Sequence, residues 1–156
     1  MGCQLRIRAA PARAPELAAR ADLTSPVRAL GERLVGRVAN SERAISLAGP
    51  VTLAHGDASL LNMRTSLDGQ VALLDWEDVS AVPGVLDLAW LLVSSVQPAQ
   101  WDQVIAAYGP AAGLMQVLPA VAVQGLLSLS DTPADSAEAT GWIRRLEAAA
   151  GRLSTP

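Results

Sequence analysis

"HGDASLLNMRTSLDGQVALLDWED", His55 to Asp78, is the stretch whose reading decides the fold. Two apolar runs flank Asp68-Gly69, a pair suited to a two-residue hairpin turn, because both central residues of such a turn take positive φ. That turn predicts a small β-hairpin in which Asn62 lies directly opposite Asp75, with Cα atoms roughly 4.5–5.5 Å apart and both side chains on one face. On the other face Leu61 meets Trp76 and Met63 meets Leu74, an apolar pairing that suits a core. Upstream, "VTLA" (residues 51–54) reads as a short buried strand. It enters a polar loop that carries the only histidine of the chain, His55, two residues before Asp57.

The oxygen-bearing residues of this stretch suit phosphoryl-transfer chemistry. A hard cation such as Mg²⁺ takes oxygen ligands and commonly only one or two protein groups, the rest being water and nucleotide phosphate. Asn62 and Asp75, opposed on one hairpin, fit that role. Asp57, at the mouth of the hairpin, suits acceptance of a proton from a substrate hydroxyl. Each residue also has a plainer reading: an Asp after Gly as a turn residue, an Asn at a strand start as a turn residue, a lone His as a structural imidazole. Their joint spacing favours the chemical reading.

Composition bounds the rest. A chain of 156 residues suits one domain, and at 51% hydrophobic residues it can build an aliphatic core, with no Phe and one Tyr. All 12 basic residues are Arg. Nine of them fall in residues 1–74 against six acids, and three in residues 75–156 against nine acids. No basic stripe with interleaved aromatics is present, which argues against nucleic acid as a partner. Cys3 is the only cysteine, so neither a disulfide framework nor a thiolate zinc site arises, and the cytoplasm is the expected compartment. The run without charge between Asp102 and Asp131 is interrupted by Gln116, Pro119 and Gln124, which predicts a buried helical pair or one kinked helix over Pro110–Ser130 and no membrane span.

Elsewhere the pattern is helical. Residues 1–22 read as a loose Arg/Ala/Pro-rich lead-in. Ser25-Pro26 reads as a helix start, from which Val27, Leu30, Leu34 and Val38 share one face of an amphipathic helix of about five turns. After the hairpin, "VLDLAWLLVSS" places Leu86, Trp90 and Val93 on one apolar side, and "PAQWDQVIAAYG" ends at Gly109. A last helix turns Trp142, Ile143 and Leu146 inward. Trp90, Trp101 and Trp142 are read as core residues. The expected organisation is a catalytic loop and metal hairpin over residues 51–78 with a helical remainder over 84–153.

"HGDASLLN", "LLDWED" and "LDLAWLL" together resemble the C-terminal lobe of the aminoglycoside phosphotransferase (APH) family, which has a protein-kinase-like fold. The likeness spans roughly residues 50–95. It includes the kinase spacing of a catalytic Asp followed by four residues and a metal-binding Asn. The resemblance implies Asp57 as catalytic base, His55 as a loop-fixing residue, Asn62 and Asp75 as Mg²⁺ and nucleotide ligands, and Asp87 as the helix-borne support of the catalytic loop. It implies ATP or GTP as co-substrate and a small hydroxylated molecule as acceptor, such as an aminoglycoside-like or other amino or sugar alcohol. Gly56 stands where protein kinases carry an Arg that reads an activation-loop phosphate, which favours a small-molecule kinase.

The resemblance also exposes a departure. A complete member begins with a β-rich lobe of about a hundred residues holding a loop over ATP and a phosphate-orienting Lys; here about fifty residues precede His55, most read as helix, and no Lys occurs. The fold class expected is mainly α with a small β-hairpin, a kinase-like C-terminal lobe lacking its N-terminal β-rich lobe. Two functions follow from different classes. One is a phosphotransferase, or its catalytic lobe, truncated at its start or completed by a separate N-terminal lobe or chain. The other is a non-catalytic remnant or binding module that keeps the lobe's fold.

Overall fold

Residues without charge gain most from burial, and twelve of the seventeen residues of Leu114–Ser130 are buried. This helix is the centre of the computed structural model, which describes residues 7–154. In chain order the elements are α1 (Ala10–Ala19), α2 (Ser25–Val35), α3 (Val38–Ser46), β1 (Val51–Ala54), β2 (Met63–Thr65), β3 (Val71–Leu73), β4 (Ser80–Pro83), α4 (Val85–Ser94), α5 (Trp101–Tyr108), α6 (Leu114–Ser130) and α7 (Ala137–Ser154). The chain is therefore mainly helical with small β elements, as its patterns predict. Helices α1, α2, α3, α4 and α7 all pack on α6.

Of the two alternatives for Pro110–Ser130, one helix is found, and it begins at Leu114. Pro119 lies inside it and, having no N–H, cannot donate to the carbonyl of Met115 one turn before it. Among the described residues no helix is long and apolar enough to cross a membrane.

Two sequence expectations for the first fifty residues change. The lead-in is not loose from Ala10 onward: α1 buries Ala10 and Leu17 in the common core, together with Ile7, and this burial compensates for Pro15 within the helix. Residues 1–6, with Cys3, lie outside the described residues. The single amphipathic helix expected from Ser25 is two helices, α2 and α3, because Gly36, the poorest helix former short of Pro, caps the first. Even so, Val27, Leu30, Leu34 and Val38 are all buried, as the spacing predicts.

Arg20 fastens the end of α1 to the end of α6. Its guanidinium donates to the carbonyls of Leu129 (2.7 Å) and Thr132 (2.6 Å) and grips both oxygens of Asp22 (3.0 and 2.6 Å). A cation at a helix C-terminus also opposes the negative end of the helix dipole. This holds the α1–α2 turn against the core.

The β region departs from expectation in two ways. "VTLA" forms β1, but it is not buried: Leu53 is 71% exposed, and only Ala54 is covered. Its partner is β4, antiparallel, in a two-stranded sheet that brackets the hairpin in the chain. The hairpin β2–β3 forms, yet with Met63 opposite Leu73, Arg64 opposite Ala72 and Thr65 opposite Val71, one residue out of the expected register.

The turn explains the slip. Gly69 has φ +83, but Asp68 is not among the residues with positive φ, so the two-residue turn is not made. Instead the N–H of Ser66 donates to the carbonyl of Gln70 (2.9 Å) and that of Gly69 donates back to Ser66 (3.0 Å), leaving a three-residue loop with glycine in the left-handed position. The Ser66 hydroxyl secures this loop by hydrogen bonds to the Asp68 carboxylate and to the N–H of Gln70. A one-residue slip turns every side chain of a strand to the other face.

Candidate active site

The loop between β1 and β2 carries His55, Asp57 and Asn62, and it is tied down by hydrogen bonds at almost every residue. Asp87, in the first turn of α4, accepts the N–H of His55 at Oδ2 (2.7 Å) and that of Gly56 at Oδ1 (2.9 Å). The His55 ring is 1% exposed. Its Nε2 lies 2.8 Å from the Leu74 carbonyl, and its Nδ1 accepts the N–H of Asp57 at 3.3 Å. A carbonyl on one side and an N–H on the other assign the proton to Nε2. The Trp76 ring closes over it at 4.7 Å.

Gly56 is a glycine for two reasons. Its φ is +86, and a Cβ built there would stand 2.3 Å from the carbonyl oxygen of Asp78. The β1–β2 loop and the segment after β3 thus approach backbone to backbone.

Asp57 is half-buried, and both its carboxylate oxygens are addressed. The side-chain amide of Asn62 donates to Oδ2 (2.9 Å) and to the Asp57 backbone carbonyl (3.0 Å). The indole N–H of Trp90 donates to Oδ1. Each oxygen keeps a further lone pair for a proton donor from outside.

Asn62 and Asp75 are brought to the same end of the hairpin, but not directly opposite one another. The last rung runs from the Leu74 N–H to the Asn62 carbonyl (2.8 Å), so Asp75 stands one residue beyond it, in the left-handed conformation with φ 63. The expected Asn62–Asp75 pair gives way to this arrangement because the turn adds a third loop residue. Likewise Leu61 and Trp76 are exposed here and not packed as a core pair.

The free oxygens at this end suit a hard cation. Asn62 spends its Nδ2 on Asp57, and its Oδ1 accepts no hydrogen bond among the described residues. The Asp75 carboxylate is exposed and has no partner among them either. No cluster of three or more His, Cys, Asp or Glu that would hold a metal occurs among the described residues. An amide oxygen and one carboxylate are nevertheless the modest set with which Mg²⁺ is held when phosphates and water complete its shell.

Sequence reading missed Trp90. A tryptophan in an apolar helical run signals core, and only its N–H, invisible in the pattern, reaches the site. Trp101 and Trp142 do lie in the core.

A second feature surrounds the site. Val51, Leu53, Leu60, Leu61, Leu67, Val71, Leu74, Trp76 and Val79 are all exposed, so large apolar side chains crowd the surface of the same segment that carries Asp57, Asn62 and Asp75.

The model of the APH family, described as a phosphotransferase enzyme family, matches residues 3–123 of the 156. No curated protein and no solved structure matches the chain.

Proposed function

The chain belongs to the APH phosphotransferase enzyme family, and from that premise we propose that it transfers the γ-phosphoryl group of ATP or GTP to a hydroxyl of a small molecule. The observation that carries this reading is the Asp57 carboxylate, gripped by Asn62 and Trp90, with oxygens of Asn62 and Asp75 that have no partner among the described residues at the same end of the hairpin. Asp57 accepts the proton of the acceptor hydroxyl. The acceptor oxygen forms its bond to the γ-phosphorus as the bond to the leaving nucleoside diphosphate breaks. Asn62 Oδ1 and the Asp75 carboxylate are the groups that would hold Mg²⁺. When bound, that ion offsets negative charge on the nucleotide phosphates. His55 and Asp87 take no part in bond making; they hold the loop in place.

In this reading the lobe is kinase-like, and the exposed apolar surface around the site receives a nucleotide-binding lobe. Two facts support it. The exposed apolar residues belong to the same segment of chain as Asp57, Asn62 and Asp75, and the phosphate-orienting Lys of such enzymes has no counterpart in a chain without Lys. Five acids against one Arg between His55 and Ser80 favour a basic rim on whatever docks there, and disfavour a second copy of the same face. A nucleotide co-substrate fits a cytoplasmic setting.

The absence of Lys favours a second reading, a binding module that keeps the fold without turnover. Calorimetric titration of Mg·ATP, with Asp75→Ala as control, followed by a turnover screen of hydroxylated amines and sugars, separates the two. The proposed enzyme binds Mg·ATP, loses that binding in Asp75→Ala and phosphorylates an acceptor. A chain that binds acceptors but neither Mg·ATP nor phosphate donors is the module.

A further inference from the structure

One face of α4 runs alongside the catalytic loop and meets it at successive points. Asp87 accepts the N–H groups of His55 and Gly56. Ser95, just past the helix end, accepts the N–H of Leu60 at 3.0 Å. Between them Trp90, three residues after Asp87 and so on the same side of the helix, donates to Oδ1 of Asp57. The other contacts hold backbone. Trp90 alone among them holds the side chain on which the proposed chemistry depends.

Apolar burial accounts for an indole in this helix, but not for the direction of its N–H. A carboxylate on a short side chain is free to turn about two torsions until something fixes its plane. Here Asn62 on one oxygen and Trp90 on the other fix it. The Trp90 ring is itself backed by Trp142, with centroids 6.0 Å apart and planes at 39°. The Arg145 guanidinium lies 4.9 Å over the Trp142 ring, and its Nε donates to the Val93 carbonyl at 2.8 Å. Gly125 leaves the room for this stack, since a Cβ there would meet Val93 at 2.9 Å and Leu146 at 3.1 Å.

We infer that Trp90 is a positioning residue for Asp57: its indole N–H sets the plane of the carboxylate that receives the acceptor's proton, and Trp142 and Arg145 keep the indole in place. This rests on the reading of Asp57 as the base, and the test is built to fail separately from that reading.

The first arm is spectroscopic and needs no turnover. In ¹⁵N-labelled protein, with the Trp90 indole signal assigned through Trp90→Phe, Asp57→Ala is expected to move that signal far more than the signal of Trp101. An unmoved Trp90 signal overturns the inference. The second arm is kinetic. Replacing Trp90 by its benzothiophene analogue, which keeps the shape and loses only the N–H, is expected to lower kcat by about ten- to a hundredfold, the loss of one hydrogen bond to a charged group, with KM for nucleotide within about twofold.

In an Asp57→Ala background the same replacement is expected to have no further effect on the residual rate. Wild-type kcat in the analogue, or an equal loss with and without Asp57, overturns the positioning role. Wild-type protein without turnover for any acceptor defeats the phosphotransferase reading instead, and the indole signal still decides whether Trp90 holds Asp57.

Discussion

The Nε2 of His55 lies 2.8 Å from the carbonyl oxygen of Leu74, so the one histidine of the chain ties the β1–β2 loop to the strand exit that leads into Asp75. Two parts of the site that are far apart in sequence are thereby held by one buried ring. His55→Phe keeps much of the volume and deletes both ring hydrogen bonds, stranding the Leu74 carbonyl and the Asp57 N–H. Each stranded group costs about 1–3 kcal/mol where water cannot reach it, so a loss of about 2–6 kcal/mol is expected. Urea denaturation with an unchanged m-value measures it.

Gly56→Ala tests the backbone approach beside that ring. The new Cβ would stand 2.3 Å from the Asp78 carbonyl, at a φ of +86 that alanine avoids. The loop must shift, and the expected result is a stability loss of at least about 1 kcal/mol together with loss of phosphoryl transfer. Thermal melts and turnover of the one variant check both, and a protein indistinguishable from wild type would refute the close approach.

The roles proposed for the acidic residues predict different kinetic signatures. Asp57→Ala is expected to reduce kcat by roughly 10²–10⁴ while Mg·ATP still binds, because Asp75 remains and the Asn62 amide is still held by the Asp57 backbone carbonyl. Asp75→Ala is expected to weaken Mg·ATP binding itself. Calorimetry on both variants decides, and equal loss of binding in the two would merge the roles assigned here.

Acid is expected to loosen the α1–α2 turn. The hydrogen bonds from Arg20 to Asp22 hold that carboxyl below its ordinary range; burial opposes this, and the Asp135 N–H assists it. A carboxyl with a depressed folded pKa contributes stability above its unfolded pKa of about 3.9, and that contribution disappears as pH falls through the lower folded value. Asp22→Asn should therefore be less stable than wild type near neutral pH, and the gap should close in strong acid. Denaturation midpoints across that range measure it, and a constant gap would remove Arg20–Asp22 as the cause.

Gly125→Ala probes the packing behind Trp90. The added methyl meets Val93, Leu146 and, at 3.5 Å, Trp142, in a fully packed helix junction. Overpacking of about 1–3 kcal/mol is expected, read as a lower melting temperature, even though alanine is the better helix former. A higher melting temperature would show that the junction has slack.

Much of this is legible in the sequence alone. The apolar spacing of Val27, Leu30, Leu34 and Val38 predicted a buried face, and all four are buried even though Gly36 breaks the helix that carries them. The inward set Trp142, Ile143 and Leu146 is buried too. The hairpin was also legible, but its register was not. Asp68-Gly69 admits two turns, and the choice between them lies in the Ser66 hydroxyl, which bonds both Asp68 and Gln70.

By itself, the sequence determined the helical and hairpin segments, their apolar faces, and the spacing of Asp57, Asn62 and Asp75, because these depend on neighbours a few residues apart. The tertiary structure decided which atoms meet. Asp87 reaches the N–H groups 31 and 32 residues before it, Trp90 reaches a carboxylate 33 residues away, and the strand expected to be buried is left exposed. Periodicity states which side of a helix turns inward; only the packed chain states what a polar group on that side finds there.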